Sequence, residues 1–195
     1  MVTEEKVLSP QEGLQLISDA IAMTKENIRE NSFPFLLWGW IVAMASFSFF
    51  LLQHYTGFEF YFLPFPVFGV VGIVATFIYH RRRIATSTIS YFTDFFYKMW
   101  LVLGISFFAV VVINVSQNNV PFTYTLLIAA IGTTTSGLVM KFRPLVIGGI
   151  LFFTAAITTV YIADEYKVLI HGVAFILGYL VPGYLLKYAV KLPHV

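Results

Sequence analysis

Few residues in this sequence can do chemistry, and most of them are hydroxyls. Residues 129–145 read AAIGTTTSGLVMKFRPL, with Thr133, Thr134, Thr135 and Ser136 consecutive in an otherwise apolar run. Ser136-Gly137 and His171-Gly172 supply the residue types of a serine–histidine dyad, in which imidazole takes the hydroxyl proton as the oxygen attacks a carbonyl. The same four hydroxyls, with Thr154, Thr158 and His171, can instead line a path for an ion or small solute. His54, Glu59, Asp164, Glu165 and His171 offer imidazole and carboxylate groups suited to zinc or to a proton. There are no cysteines, which removes disulfides, thiol nucleophiles and thiolate-held metal from consideration. No phosphate loop, metalloprotease motif, nucleophile elbow or dinucleotide fingerprint occurs, so no cofactor is expected.

The elements that must position these groups are membrane spans. Only 11% of the 195 residues are charged and 58% are hydrophobic, whereas a soluble domain carries about a quarter charged residues. The apolar residues fall in six runs, at about 33–52, 60–79, 95–115, 122–140, 145–163 and 168–186. Each is close to the ~20 residues that carry a helix across a bilayer. The expected fold is therefore an all-α, multi-pass helical bundle of six transmembrane helices over 32–195, with the lipid bilayer as its solvent. Of the twelve Lys and Arg residues, eleven share one side if the N-terminus is inside, and only Lys167 lies opposite. That asymmetry predicts cytoplasmic N- and C-termini. The net charge of +2 gives no reason to expect nucleic acid.

Depth along the spans tests the chemistry. Ser136 lies five residues before Lys141 and His171 sixteen before Lys187. At ~1.5 Å per residue the two sit about 7 and 24 Å from the inner end. A dyad cannot span that difference, and catalysis is not expected. Thr133 with Gly137, and Gly132 with Ser136, are small-xxx-small pairs suited to close helix contact. Packing is thus the leading role for the hydroxyl cluster, with a polar lining as the alternative. The outer His and acidic residues come from different loops with no fixed ligand spacing, so no metal is expected. Pro182 deprives the Gly178 carbonyl of its helical donor; the resulting bend is first a structural feature, with Gly178, Pro182 and Gly183 as a candidate hinge in the alternative.

Segment 1–31 reads as a cytoplasmic amphipathic helix. Ser9, Pro10 and Glu12 form a start signal, and Leu14, Ile17, Ile21 and Ile28 recur at helical spacing on one face. The stripe docks on the chain's own inner loops, notably Arg81–Arg83, or on a soluble partner or second copy, or belongs to a loosely held surface helix. Within the spans, LLWG at 36–39, LVLG at 101–104 and LVIG at 145–148 recur near the inner ends of odd-numbered spans. In even-numbered spans Gly72, Gly132 and Gly178 each precede the next basic residue by nine. Three tandem hairpins would produce this pattern, as would chance in a glycine-rich apolar chain.

The acidic N-terminal helix, FPFLLWGW, KFRPLVIGG and YLVPGYLLK together resemble a family of small six-span bacterial inner-membrane proteins with no assigned function. The resemblance covers the whole chain. It implies an inner-membrane location, but no activity, substrate or site. The expectation is an accessory or regulatory membrane protein acting through a membrane or cytoplasmic protein partner, or as a homo-oligomer. The alternative is a small channel or transporter.

Overall fold

The computed structural model describes residues 32–86 and 91–189, and every regular element among them is helical. Helix α1 covers Ser32–Leu51 and runs on through a π turn, Leu52–Thr56. Then follow α2, Pro64–Thr86; α3, Tyr91–Ser116; α4, Phe122–Val139; and α5, Arg143–Val160. Helix α6, Asp164–Phe175, passes through a second π turn, Ile176–Leu180, into α7, Val181–Ala189. Counting each helix with its π continuation, six among the described residues are long and apolar enough to cross a membrane. The chain is a helical bundle of the multi-pass membrane type.

The helix ends follow from local residue chemistry. Pro64 opens α2, where its missing N–H would be unpaired in any case. Gly57, at φ 60°, ends the first π turn. Helix α4 stops because Lys141 adopts φ 52°, and the Phe142 amide then reaches back to the Gly137 carbonyl at 2.8 Å. Asn118, at φ 58°, does the same after α3, with Asn119 N–H on the Asn114 carbonyl at 2.9 Å. Both are left-handed caps that satisfy otherwise orphaned carbonyls.

Glycines set how the helices approach. A Cβ on Gly137 would lie 2.6 Å from the Val146 amide nitrogen, so α4 and α5 meet backbone to backbone. Helix α6 and its π turn run between α1 and α5. A Cβ on Gly39 would strike the Leu180 side chain at 2.6 Å, and one on Gly148 the Gly178 carbonyl oxygen at 2.6 Å. Each even-span glycine of the sequence pattern receives an aromatic ring from the preceding span: Trp38 at Gly72, Trp100 at Gly132 and Phe152 at Gly178. The three hairpins therefore share one contact. They differ at the odd-span glycine, since Gly104 of LVLG faces open space.

The core lies among α1, α4, α5 and α6, where Phe35, Phe152, Phe175 and Tyr179 pack edge to face at 5.0–5.5 Å. Helices α2 and α3 flank it, α2 chiefly against α1 and α3 chiefly against α4, with Phe96 and Trp100 of α3 reaching the core. Only 11% and 6% of their spanning windows are buried, against 56% for the sixth span. Near one end His80 of α2 stacks flat on Tyr97 of α3 at 4.1 Å.

Candidate functional site: a buried histidine node and a hydroxyl seam

His171 is 1% exposed, and the bundle gives it two partners that neither a dyad nor a metal cluster would call for. Its Nδ1 lies 3.0 Å from Ser46 Oγ of α1, and its Nε2 lies 3.1 Å from Thr125 Oγ1 of α4. Each hydroxyl also donates within its own helix, Ser46 to the Val42 carbonyl at 2.8 Å and Thr125 to the Phe122 carbonyl at 2.9 Å. The rings of Phe65, Phe122 and Phe175 close around the imidazole at 6.1, 5.2 and 4.8 Å between centroids. The node thus joins three helices through one side chain.

Proton counting limits what it can do. Two hydroxyls and a neutral imidazole hold three protons for four contacts. At any instant one hydroxyl turns toward the ring and leaves its own-helix carbonyl, which still has its backbone donor. No charge is needed, and the aromatic enclosure makes a charge costly. The arrangement is a hydrogen-bonded tie between helices, not an exposed nucleophile or base.

The hydroxyl seam bonds mostly within its own helix, and Thr133 also shares a hydrogen bond with the Tyr179 side chain of the second π turn. Thr133 donates to the Ala129 carbonyl at 2.6 Å and Ser136 to the Gly132 carbonyl at 2.6 Å, both fully buried. Thr134 Oγ1 is buried without a hydrogen-bond partner and points at Gly149, where a Cβ would collide with it. The double glycine of α5 therefore takes an oxygen on each side: Thr134 Oγ1 at Gly149 and the Gly178 carbonyl at Gly148. Both contacts place oxygen where a glycine Cα hydrogen points, the geometry of a weak Cα–H···O bond. Thr135 is half-buried. Thr154 and Thr158 lie on the exposed side of α5, returning their protons to Ile150 and Thr154 carbonyls at 3.0 and 2.8 Å.

The sequence-selected polar residues thus divide among three places. Thr133 and Ser136 face the core, Thr154 and Thr158 face outward, and His171 belongs to a separate node. Ser136 and His171 each bond to other groups. Among the described residues no three His, Asp or Glu side chains come together as metal ligands. Asp164 instead pairs with Lys167 at 2.6 Å, and His54 stacks on Phe50 at 5.4 Å. Pro182 and Gly183 are buried, and the freed Gly178 carbonyl finds its substitute contact at Gly148. The π turn just before Pro182 is the local consequence of losing that amide. The stripe Leu14, Ile17, Ile21 and Ile28 lies outside the described residues.

Sequence reasoning missed Ser46 and Thr125, and depth along the spans is the one signal that could have pointed to them. Thr125 is three residues into α4 and His171 seven residues into α6, counted from the same end of the bundle. That is within about 10 Å of one another along the axis, and Ser46 falls in the same half of α1. Comparison with known protein families, curated proteins and solved structures returns no match.

Proposed function

We propose that this chain is an inner-membrane protein of accessory or regulatory type, with both termini in the cytoplasm, acting through protein–protein contact rather than catalysis. The observation that carries this reading is the placement of α2 and α3. Each packs chiefly on one neighbouring helix, with only a few side chains such as Phe65 and Trp100 reaching further, and leaves most of its apolar surface uncovered by the chain. Lipid solvates such a face, and a partner helix can replace lipid there through shape and small-residue contact. Gly104, open where Gly39 and Gly148 receive a helix, lies on that face. The buried polar groups support the same reading, because their hydrogen bonds hold helices together. The N-terminal stripe is the soluble-side docking element.

Affinity capture from mildly solubilised native membranes tests it, using the full chain and one lacking residues 1–31. A specific partner that is lost on truncation is the expected result. Capture of nothing by either form would refute the accessory role.

A second reading, a small channel or transporter, is favoured by one feature: an imidazole and two hydroxyls converge from three helices. Proton or solute flux into liposomes that is abolished by His171→Leu would establish it. Flux equal to empty liposomes would remove it.

A further inference from the structure

The described chain begins at Ser32, and 31 residues precede it. The point where they leave the bundle is fixed, because Phe33 stacks on Tyr79 at 4.3 Å, two residues before Arg81. The bundle end at which they emerge carries Arg81, Arg82, Lys98, Lys141, Arg143 and Lys187, all exposed. Asp94 also lies there and is held by Lys98 at 2.6 Å. The preceding segment has the opposite sign, with six acidic and three basic residues.

Helical geometry sharpens the match. At about 100° per residue, Glu12, Asp19, Glu26 and Glu30 fall within roughly 40° of one another, and Leu14, Ile17, Ile21 and Ile28 within roughly 60°. In a helix of this sequence the two groups would lie on opposite sides. Only one of them can rest on the bundle. The basic end does not favour the apolar one: Arg81 lies over Phe77 at 4.9 Å and Lys187 over Tyr188 at 5.8 Å, so cations already cover aromatic surface there. The 22 residues from Pro10 to Asn31 would make a helix about 33 Å long, enough to cross about three interhelical spacings of ~8–10 Å.

We propose that the N-terminal segment docks across the basic end of its own bundle through Glu12, Asp19, Glu26 and Glu30, with Arg81 and Arg82 as its nearest cations. The Leu14–Ile28 stripe is then turned away from the bundle and offered to a partner. This deepens, and rests on, the reading of that stripe as a docking element: bundle charge decides which face is presented. Each exposed ion pair is weak, but the tether keeps the segment at high effective concentration, so several weak pairs suffice.

The chain has no cysteine, so Ala20→Cys with Val139→Cys gives two unique spin-label sites, one on neither stripe and one at the basic end of α4. Dipolar distance measurements would use the full chain in nanodiscs of zwitterionic lipid. The expected result is one narrow distance population near 0.1 M salt. It broadens at 1 M salt, where the screening length falls from about 10 to about 3 Å. Changing Glu12, Asp19, Glu26 and Glu30 to Lys broadens it likewise, and adding Arg81→Glu and Arg82→Glu restores it. A narrow population that survives both high salt and charge reversal would overturn the proposal, since the apolar face would then hold the segment. A broad population in the unmodified segment at low salt would overturn it too. No partner is present in this experiment, so its failure is distinct from failure of partner capture.

Discussion

Gly148→Ala should be among the most damaging single-methyl additions in this protein. The new Cβ would sit 2.6 Å from the Gly178 carbonyl oxygen and 3.3 Å from that residue's carbonyl carbon and Cα. These are backbone atoms of the π turn, so no side-chain rotation relieves the clash. Helices α5 and α6 must separate, or the turn must rewind. Overpacking of this kind costs about 1–3 kcal/mol, and loss of the Cα–H···O contact adds about 0.5–1 kcal/mol. A gain in helix propensity offsets up to ~1 kcal/mol of this, leaving a net loss on the order of 2 kcal/mol. Gly104→Ala and Gly69→Ala are the matched controls, because nothing lies within 4 Å of a Cβ at either site. Both should be neutral or slightly stabilising. The assay is unfolding of the purified chain in one detergent, by heat and by denaturant. If Gly148→Ala unfolds together with the two controls, the close α5–α6 approach is not as described.

Other perturbations have signs that follow from the hydrogen bonds. Removing both hydroxyls (Ser46→Ala with Thr125→Val) strands a buried imidazole and should cost about 1–3 kcal/mol. Adding His171→Leu to that double variant should recover most of the loss, and failure to recover would mean that the hydroxyls act apart from the histidine. Lys141→Gly should stabilise by up to about 1 kcal/mol, because φ 52° strains a residue with a Cβ; destabilisation in the same unfolding assay would contradict the cap. Thr154→Ala and Thr158→Ala remove exposed hydroxyls bonded to their own helix. Each should shift stability by less than about 0.5 kcal/mol, and a larger loss would place them at a contact.

The six spans were readable because each is an apolar run near the thickness of a bilayer, and that constraint acts on composition alone. The finer turns were not. Extension of α1 to Thr56 by a π turn follows from no residue preference, whereas the widened turn at Ile176–Leu180 had a visible cause in Pro182. The small-xxx-small spacing correctly marked Gly132–Gly137 as a close-contact surface. It could not say that Thr134 would face Gly149 while Thr133 would bond both its own helix and Tyr179. The LLWG, LVLG and LVIG triplets read alike, yet Gly39 and Gly148 meet a helix and Gly104 does not. Sequence records that a helix can come close; the bundle decides which one does. The histidine node was hidden because its three members lie far apart in the chain, and two are ordinary span hydroxyls.

Contact with another protein through the surfaces this chain leaves uncovered is the central claim, and site-specific photocrosslinking in living cells tests it most directly. The probe would replace Ile21 in the N-terminal stripe and Val102 on the open face of α3, with Ile147 on the exposed side of α5 as reference. A defined protein adduct is expected from Ile21 and from Val102, well above that from Ile147. Lipid adducts alone at all three positions would contradict the claim.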